Sequence, residues 1–136
     1  MASVELDRVS VRTGSELRLD DVSLEVASGD FVGVVGGSGS GKTTLLRVIA
    51  GLESPTSGVI RIDGRDVTRA TPSQRDVGMV FQEPVLLRHL SVRRNVSFPL
   101  DVRRRDAADI RQRVDAEARA LHIEELLVRH PDELSH

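Results

Sequence analysis

The sequence predicts an α/β fold, and three neighbouring features carry that prediction. Phe31-Val32-Gly33-Val34-Val35 is a continuous apolar run, the mark of a strand buried on both faces as in a parallel sheet. A glycine-rich stretch, Gly36 to Gly41, follows it at once. Thr43 to Ala50 then reads as a helix, with Gly51 as its stop.

The elements before that point read as antiparallel β structure. Val4-Glu5-Leu6 and Val9-Ser10-Val11 each alternate, and the one-step shift of parity between them predicts a bulge. Thr13-Gly14-Ser15-Glu16 reads as a turn. Leu17 and Leu19, then Val22, Leu24 and Val26, alternate again around Asp20-Asp21. Ser28-Gly29-Asp30 is a second turn before the apolar run. After the helix, Glu53 to Gly58 has loop chemistry, and Val59 to Ile62 with Arg65 to Val67 predicts a hairpin about Asp63-Gly64. A further strand is expected over Val77-Gly78-Met79-Val80-Phe81, leading into Gln82-Glu83-Pro84.

From about Ser91 the character becomes helical. Ile110, Val114, Ala118 and Leu121 fall on one face of a helix that Asp106 can cap. Pro131-Asp132-Glu133-Leu134 resembles the entry to another helix, where an acidic pair suits the positive end of the dipole. The expected division is residues 1–90, a β subdomain with the glycine-rich loop and its helix, and residues 91–136, the start of a helical subdomain. There is no internal repeat and no low-complexity linker.

Composition narrows the function. The 136 residues are 39% hydrophobic and 29% charged, a folded-domain composition. A net charge of -2 gives no electrostatic case for nucleic acid or an anionic membrane as a partner. Without cysteine there is neither a disulfide framework nor a thiolate metal site. That absence fits the cytoplasm; the apolar runs are too short to cross a bilayer, and Met1 to Glu5 lacks the pattern of a secretory leader. Among nineteen basic residues the single lysine is Lys42.

That lysine closes the strongest motif in the chain. Gly36-Gly37-Ser38-Gly39-Ser40-Gly41-Lys42-Thr43 fits the Walker A pattern, Gly, four residues, Gly-Lys-Ser/Thr, between an apolar run and a helix. Glycines let the backbone reach positive φ and curl around a phosphate. The curl turns successive N–H groups inward as an anion nest, and the helix start adds unpaired donors and the positive end of its dipole. Lys42 can reach the β- and γ-phosphates, Thr43 can offer its hydroxyl to Mg²⁺, and Thr44 is a further phosphate contact. The dinucleotide pattern is not met, because the spacing is Gly37-x-Gly39-x-Gly41. A guanine-reading Asn-Lys-x-Asp is absent, since the only Asn, Asn95, precedes Val96.

Through these motifs the chain resembles the ATP-binding subunit of ABC transporters. The resemblance rests on the Walker A loop, on "TTLLRVIAGLESPTSGVIRIDG" and on "TPSQRDVGMVFQ", which is most similar to importers of sugars, glycerol phosphate or polyamines. It implies a P-loop NTPase core, incomplete here, with an N-terminal mixed β subdomain and the start of a helical subdomain. It implies a cytoplasmic ATPase, peripheral on the inner face of the cell membrane, that powers import through a permease. Carried over by position, Gly36, Gly37, Ser38, Gly39, Ser40, Gly41, Lys42, Thr43 and Thr44 bind ATP. Gln82 matches the Q-loop glutamine, which meets Mg²⁺ and the attacking water, so Lys42 and Gln82 are the catalytic candidates and Thr43 and Gln82 the metal donors. Ser135 matches the signature serine. The implied partners are transmembrane permease subunits, a second ATPase subunit as homodimer or heterodimer and, indirectly, an extracytoplasmic substrate-binding protein, with no nucleic acid.

The chain departs from the family pattern in three places. Thr13 stands where an aromatic residue stacks on adenine, leaving Leu17 and Val22 as an alternative grip. His136 stands where the signature's first glycine belongs. No apolar strand followed by Asp-Glu occurs within the 136 residues, so the Walker B acid and the catalytic Glu are missing from them and the chain by itself is expected to be inactive. It is also expected to expose unpaired apolar strand edges at Phe31 to Val35 and Val77 to Phe81. A non-hydrolysing nucleotide-binding fragment or regulator, or a soluble ABC ATPase of DNA repair or translation, are the alternatives. Arg93-Arg94 and Arg103-Arg104-Arg105 read as a solvated face or as contacts to the permease or lipid headgroups.

Overall fold

The computed structural model describes residues 2–83 and 85–134. Ser135 and His136, which the resemblance singles out, lie outside the described residues. The chain divides into two units, Met1–Met79 and Val80–His136, so residues 80–90 group with the helical part, whereas the sequence division fell at 90.

The first unit is built on a four-stranded antiparallel sheet in the order β2-β1-β3-β4, from β1 (Val4–Thr13), β2 (Glu16–Val26), β3 (Ser57–Ile62) and β4 (Arg65–Asp66). The core-facing set is Leu6, Val9 and Val11 from β1, Leu19 from β2, and Ile60 and Ile62 from β3, with Val67 behind them. Helix α1 (Lys42–Ala50) closes this core with Leu45 and Val48, which is fully buried. Because Leu6 and Val9 face the same side, β1 must gain a residue between them. The pairing does so: Leu6 opposes Leu24 and Val9 opposes Val22, with Arg8 at φ 48° in the irregularity. The bulge expected from the parity shift is therefore present, as is the hairpin of β3 and β4 about Asp63-Gly64.

Two expected strands do not form. Phe31 to Val35 has no sheet partner among the described residues; Phe31 is 99% and Val35 93% exposed, so the run is not buried on either face. Val77 to Phe81 is likewise outside the sheet, with Val80 97% exposed. A strand exists only where a neighbour accepts and donates its backbone hydrogen bonds, and no described segment lies beside either run.

The short helix α2 (Pro72–Arg75) carries the one deeply buried cation among the described residues of this unit. Arg75 is 4% exposed, and its Nη1 donates to the carbonyls of Val48 (2.7 Å) and Ile49 (3.1 Å), its Nε to Ala70 and its Nη2 to Thr68. It thereby serves the Ile49 carbonyl at the end of α1 and adds a second donor to the Val48 carbonyl, which also accepts from Gly51 N–H. Burial holds its pKa below the ordinary arginine value. Gly51 makes room for it: at φ 77° it ends α1, and a Cβ there would stand 2.6 Å from Arg75 Nε.

The second unit is helical. Helix α3 (Val92–Val102) is capped by the Ser91 hydroxyl, and α4 (Ala107–Ala120) by the Asp106 carboxylate, which accepts from the N–H groups of Ala108 and Asp109. Val114, Ala118 and Leu127 form the core, with Val92, Ile110 and Ile123 packed against it. Leu121, expected on that face, is instead the residue after α4 and is exposed. Asn95 organises the entry to α3 by donating to the carbonyls of Leu87, Leu90 and Ser91 and accepting from Leu87 N–H. At Pro131–Glu133, Glu133 reaches back to the His130 N–H, the structural task expected of that acidic pair.

Candidate phosphate site

The glycine-rich loop delivers α1 with no side-chain cap on its first turn. Gly41 precedes the helix at φ 89° and offers no side-chain cap, and no acidic residue stands in the first turn. A Cβ at Gly41 would come within 2.7 Å of the Arg18 carbonyl oxygen and 2.9 Å of Leu19 Cδ2, so only glycine lets the loop lie this close to β2. The N–H groups opening α1 have no intrahelical acceptor and look toward the positive end of the dipole.

Lys42 folds back into the loop. Its Nζ donates to the carbonyls of Gly36 (2.8 Å) and Gly37 (2.6 Å) and, at 3.3 Å, to the Ser40 hydroxyl. The ammonium is thus fixed by the loop that precedes it. Next to it lies a cavity of about 250 Å³, lined by Gly39 through Thr44 on one side and by Glu16, Leu17 and Arg18 of β2 on the other. The exposed Thr43 brings a hard oxygen donor to this cavity.

The expected site residues therefore separate into three groups. Gly39, Ser40, Gly41, Lys42, Thr43 and Thr44 line the cavity, while the carbonyls of Gly36 and Gly37 hold the lysine; Ser38 is exposed at the turn of the loop. Thr13 ends β1 opposite Glu16 and does not line the cavity. Of the alternative adenine contacts, Leu17 lines it, whereas Val22 packs against the core. Gln82 is an exposed bend residue of the second unit. Among the described residues, no three His, Cys, Asp or Glu side chains gather where they could hold a metal.

Arg18 and its partner Glu16 went unnoticed in the sequence. Arg18 Nη2 meets Glu16 Oε2 at 3.0 Å on the cavity wall. The available signal was the broken alternation between Leu17-Leu19 and Val22, which announces an irregular strand at this point.

Comparison with known proteins places these features in context. A family model described as ABC transporter matches residues 19–136. The chain is 46% identical over 136 residues to an sn-glycerol-3-phosphate import ATP-binding protein, UgpC, of Brucella abortus (strain 2308), covering 99% of this chain and 39% of that protein. It is 46% identical over 122 residues to a sulfate/thiosulfate import ATP-binding protein, CysA, of Nocardia farcinica, covering 90% of this chain and 37% of the relative. It thus spans about two-fifths of the length of these curated relatives. Among solved structures, the ATP-binding cassette MJ0796, a dimer in a post-hydrolysis state bound to ADP and Pi, superimposes with a TM-score of 0.84 at 30% identity, over 97% of this chain and 63% of that one.

Proposed function

Since the chain belongs to the ABC transporter family, we propose that it is the ATP-binding part of the motor of an importer. The observation that carries this reading is the cavity beside an uncapped helix start, with Lys42 held by the loop at its edge. The N–H groups of the loop and of the first turn of α1 would surround the terminal phosphates of ATP. Lys42 has three donors; two are short bonds to Gly36 and Gly37, and the third, long at 3.3 Å, is free to turn from Ser40 to a phosphate oxygen.

The residues fit Mg²⁺ as a minor protein ligand set, as expected of a cation that keeps waters and phosphate oxygens around it. Thr43 on the cavity wall would offer its hydroxyl, and Gln82 is proposed as a second donor from its match to the Q-loop glutamine alone. Bound there, the cation would neutralise charge between the β- and γ-phosphates. Gln82 would also orient the attacking water, its neutral amide accepting and donating at once. The one acid on the cavity wall, Glu16, is engaged with Arg18. These 136 residues by themselves therefore bind nucleotide without turning it over, and hydrolysis needs a carboxylate from outside them.

The names of the relatives support coupling to import, and the dimeric neighbour supports a second ATPase subunit, homomeric or heteromeric. The partners of the motor are permease subunits and, through them, a substrate-binding protein, with the motor on the cytoplasmic face of the membrane. No described helix is long and apolar enough to cross a membrane itself.

Titration with a fluorescent ATP analogue tests the loop. A charge-assisted contact to phosphate is worth about 1.5–3 kcal/mol, so Lys42→Ala should weaken Mg-ATP binding at least about tenfold. Equal affinity in variant and parent would remove the phosphate reading. Gln82→Ala should lower turnover in the permease-bound assembly more than it lowers affinity; loss of affinity with unchanged turnover per bound ATP contradicts the assigned role.

A further inference from the structure

The cavity has a wall that the phosphate reading leaves unused. Between the pairs Val11–Leu19 and Arg12–Leu17, β1 advances one residue and β2 advances two, so Arg18 has no partner across the strands. It is the extra residue of a β-bulge, a device that re-aims a side chain and recurs beside active sites. The bulge is pinned from the other side, because the Arg18 carbonyl lies against the backbone of Gly41, where no Cβ could fit. Arg18 is thereby fixed to the last residue of the phosphate loop. Its side chain is 43% exposed, and its guanidinium is held by Glu16, also on the cavity wall. The chain has neither Trp nor Tyr, and Phe31 and Phe98 are not among the residues lining this cavity.

We infer that Arg18 is the nucleobase platform of this site, laying the plane of its guanidinium against the base of the bound nucleoside triphosphate. A guanidinium stacks on aromatic faces, and Arg does so more often than Lys. Glu16 supports this in two ways. It restrains the guanidinium at one edge through the Nη2 contact, and it offsets the charge that would otherwise draw Arg18 onto the phosphates. Arg18 is thus a specificity-determining residue for the base, distinct from Lys42, which serves the phosphates. The inference rests on the proposed nucleotide reading of the loop.

The test compares Mg-ATP with inorganic tripolyphosphate, which has the charge but no base, on the full-length protein by calorimetric titration. Arg18→Ala should weaken Mg-ATP about two- to fivefold, the size of an exposed cation–π contact, and leave tripolyphosphate unchanged. Arg18→Tyr, planar but uncharged, should restore Mg-ATP affinity. Lys42→Ala should weaken both ligands. If Arg18→Ala weakens both alike, or Tyr fails to rescue, Arg18 acts as a phosphate charge and the inference is wrong. If Arg18→Ala changes neither, the residue is a bystander and the inference is equally wrong. A parent protein that binds neither ligand overturns the loop reading instead, and the base platform with it.

Discussion

Helices α1 and α4 begin in opposite ways. At α4 the Asp106 carboxylate accepts from two first-turn N–H groups, and Asp109 adds an acid to the same turn. At α1 the corresponding place is held by Gly41, with neither a side-chain cap nor an acid in the first turn. A good cap is worth about 1 kcal/mol, so α1 forgoes that stabilisation where α4 takes it. The far ends reverse the order. Both last turns accept from the N–H groups that follow them, Gly51 and Leu52 at α1 and His122 and Ile123 at α4, but only α1 is also bound by a buried guanidinium from another element, that of Arg75. A helix that leaves its start open for a ligand is anchored by its finish.

The largest expected effect comes from removing that anchor. Arg75→Met should lower the stability of the first unit by about 3 kcal/mol, because it deletes four bonds from a charged donor and leaves the part-buried carbonyls of Ile49, Thr68 and Ala70 without it, while Val48 keeps the Gly51 N–H. Thermal or urea unfolding measures it; a loss below about 1 kcal/mol would mean that Gly51 alone holds the end of α1. Ligand should act next, and on one helix only. Mg-ATP at about a hundred times its Kd contributes roughly 2.7 kcal/mol to states that bind it. Amide exchange should therefore slow at Lys42 to Thr44 and stay unchanged at Ala108 and Asp109. Equal slowing at both helix starts would erase the distinction drawn between them. The smallest effect belongs to the filled cap. Asp106→Ala should destabilise the helical unit by about 1 kcal/mol while Mg-ATP affinity remains that of the parent. A matching loss of affinity would show that the second helix start also serves the ligand.

What could be read ahead of the structure was what local chemistry fixes. The loop, α1 and its Gly51 stop, the β3–β4 hairpin and the Asp106 cap all depend on residues a few positions apart. The failures share a different cause. The run Phe31 to Val35 has the composition of a central strand, but pairing depends on neighbours, and no described segment supplies them. Its exposed apolar side chains remain the surface on which association is expected. Arg75 was invisible because nothing in "PSQRD" distinguishes an arginine that folds under a helix from one in solvent. Arg18 was hidden by the same ambiguity, although the broken alternation around it marked the bulge. Thr13, which the resemblance matches to the adenine-stacking position, ends β1 opposite Glu16.

The grip of the loop on Lys42 also has a consequence for reagents. Lys42 bears the only ε-amine in these 136 residues, since every other long cationic side chain is a guanidinium. All three of its N–H bonds are engaged, by Gly36, Gly37 and Ser40. An amine-selective acylating reagent thus finds a single lysine target in this segment, and finds it already clasped. Modification there would add one acyl mass to one known tryptic site and at the same time cancel the charge. The extent of labelling becomes a count of how often the loop lets go of its lysine, read by mass alone and without any nucleotide analogue.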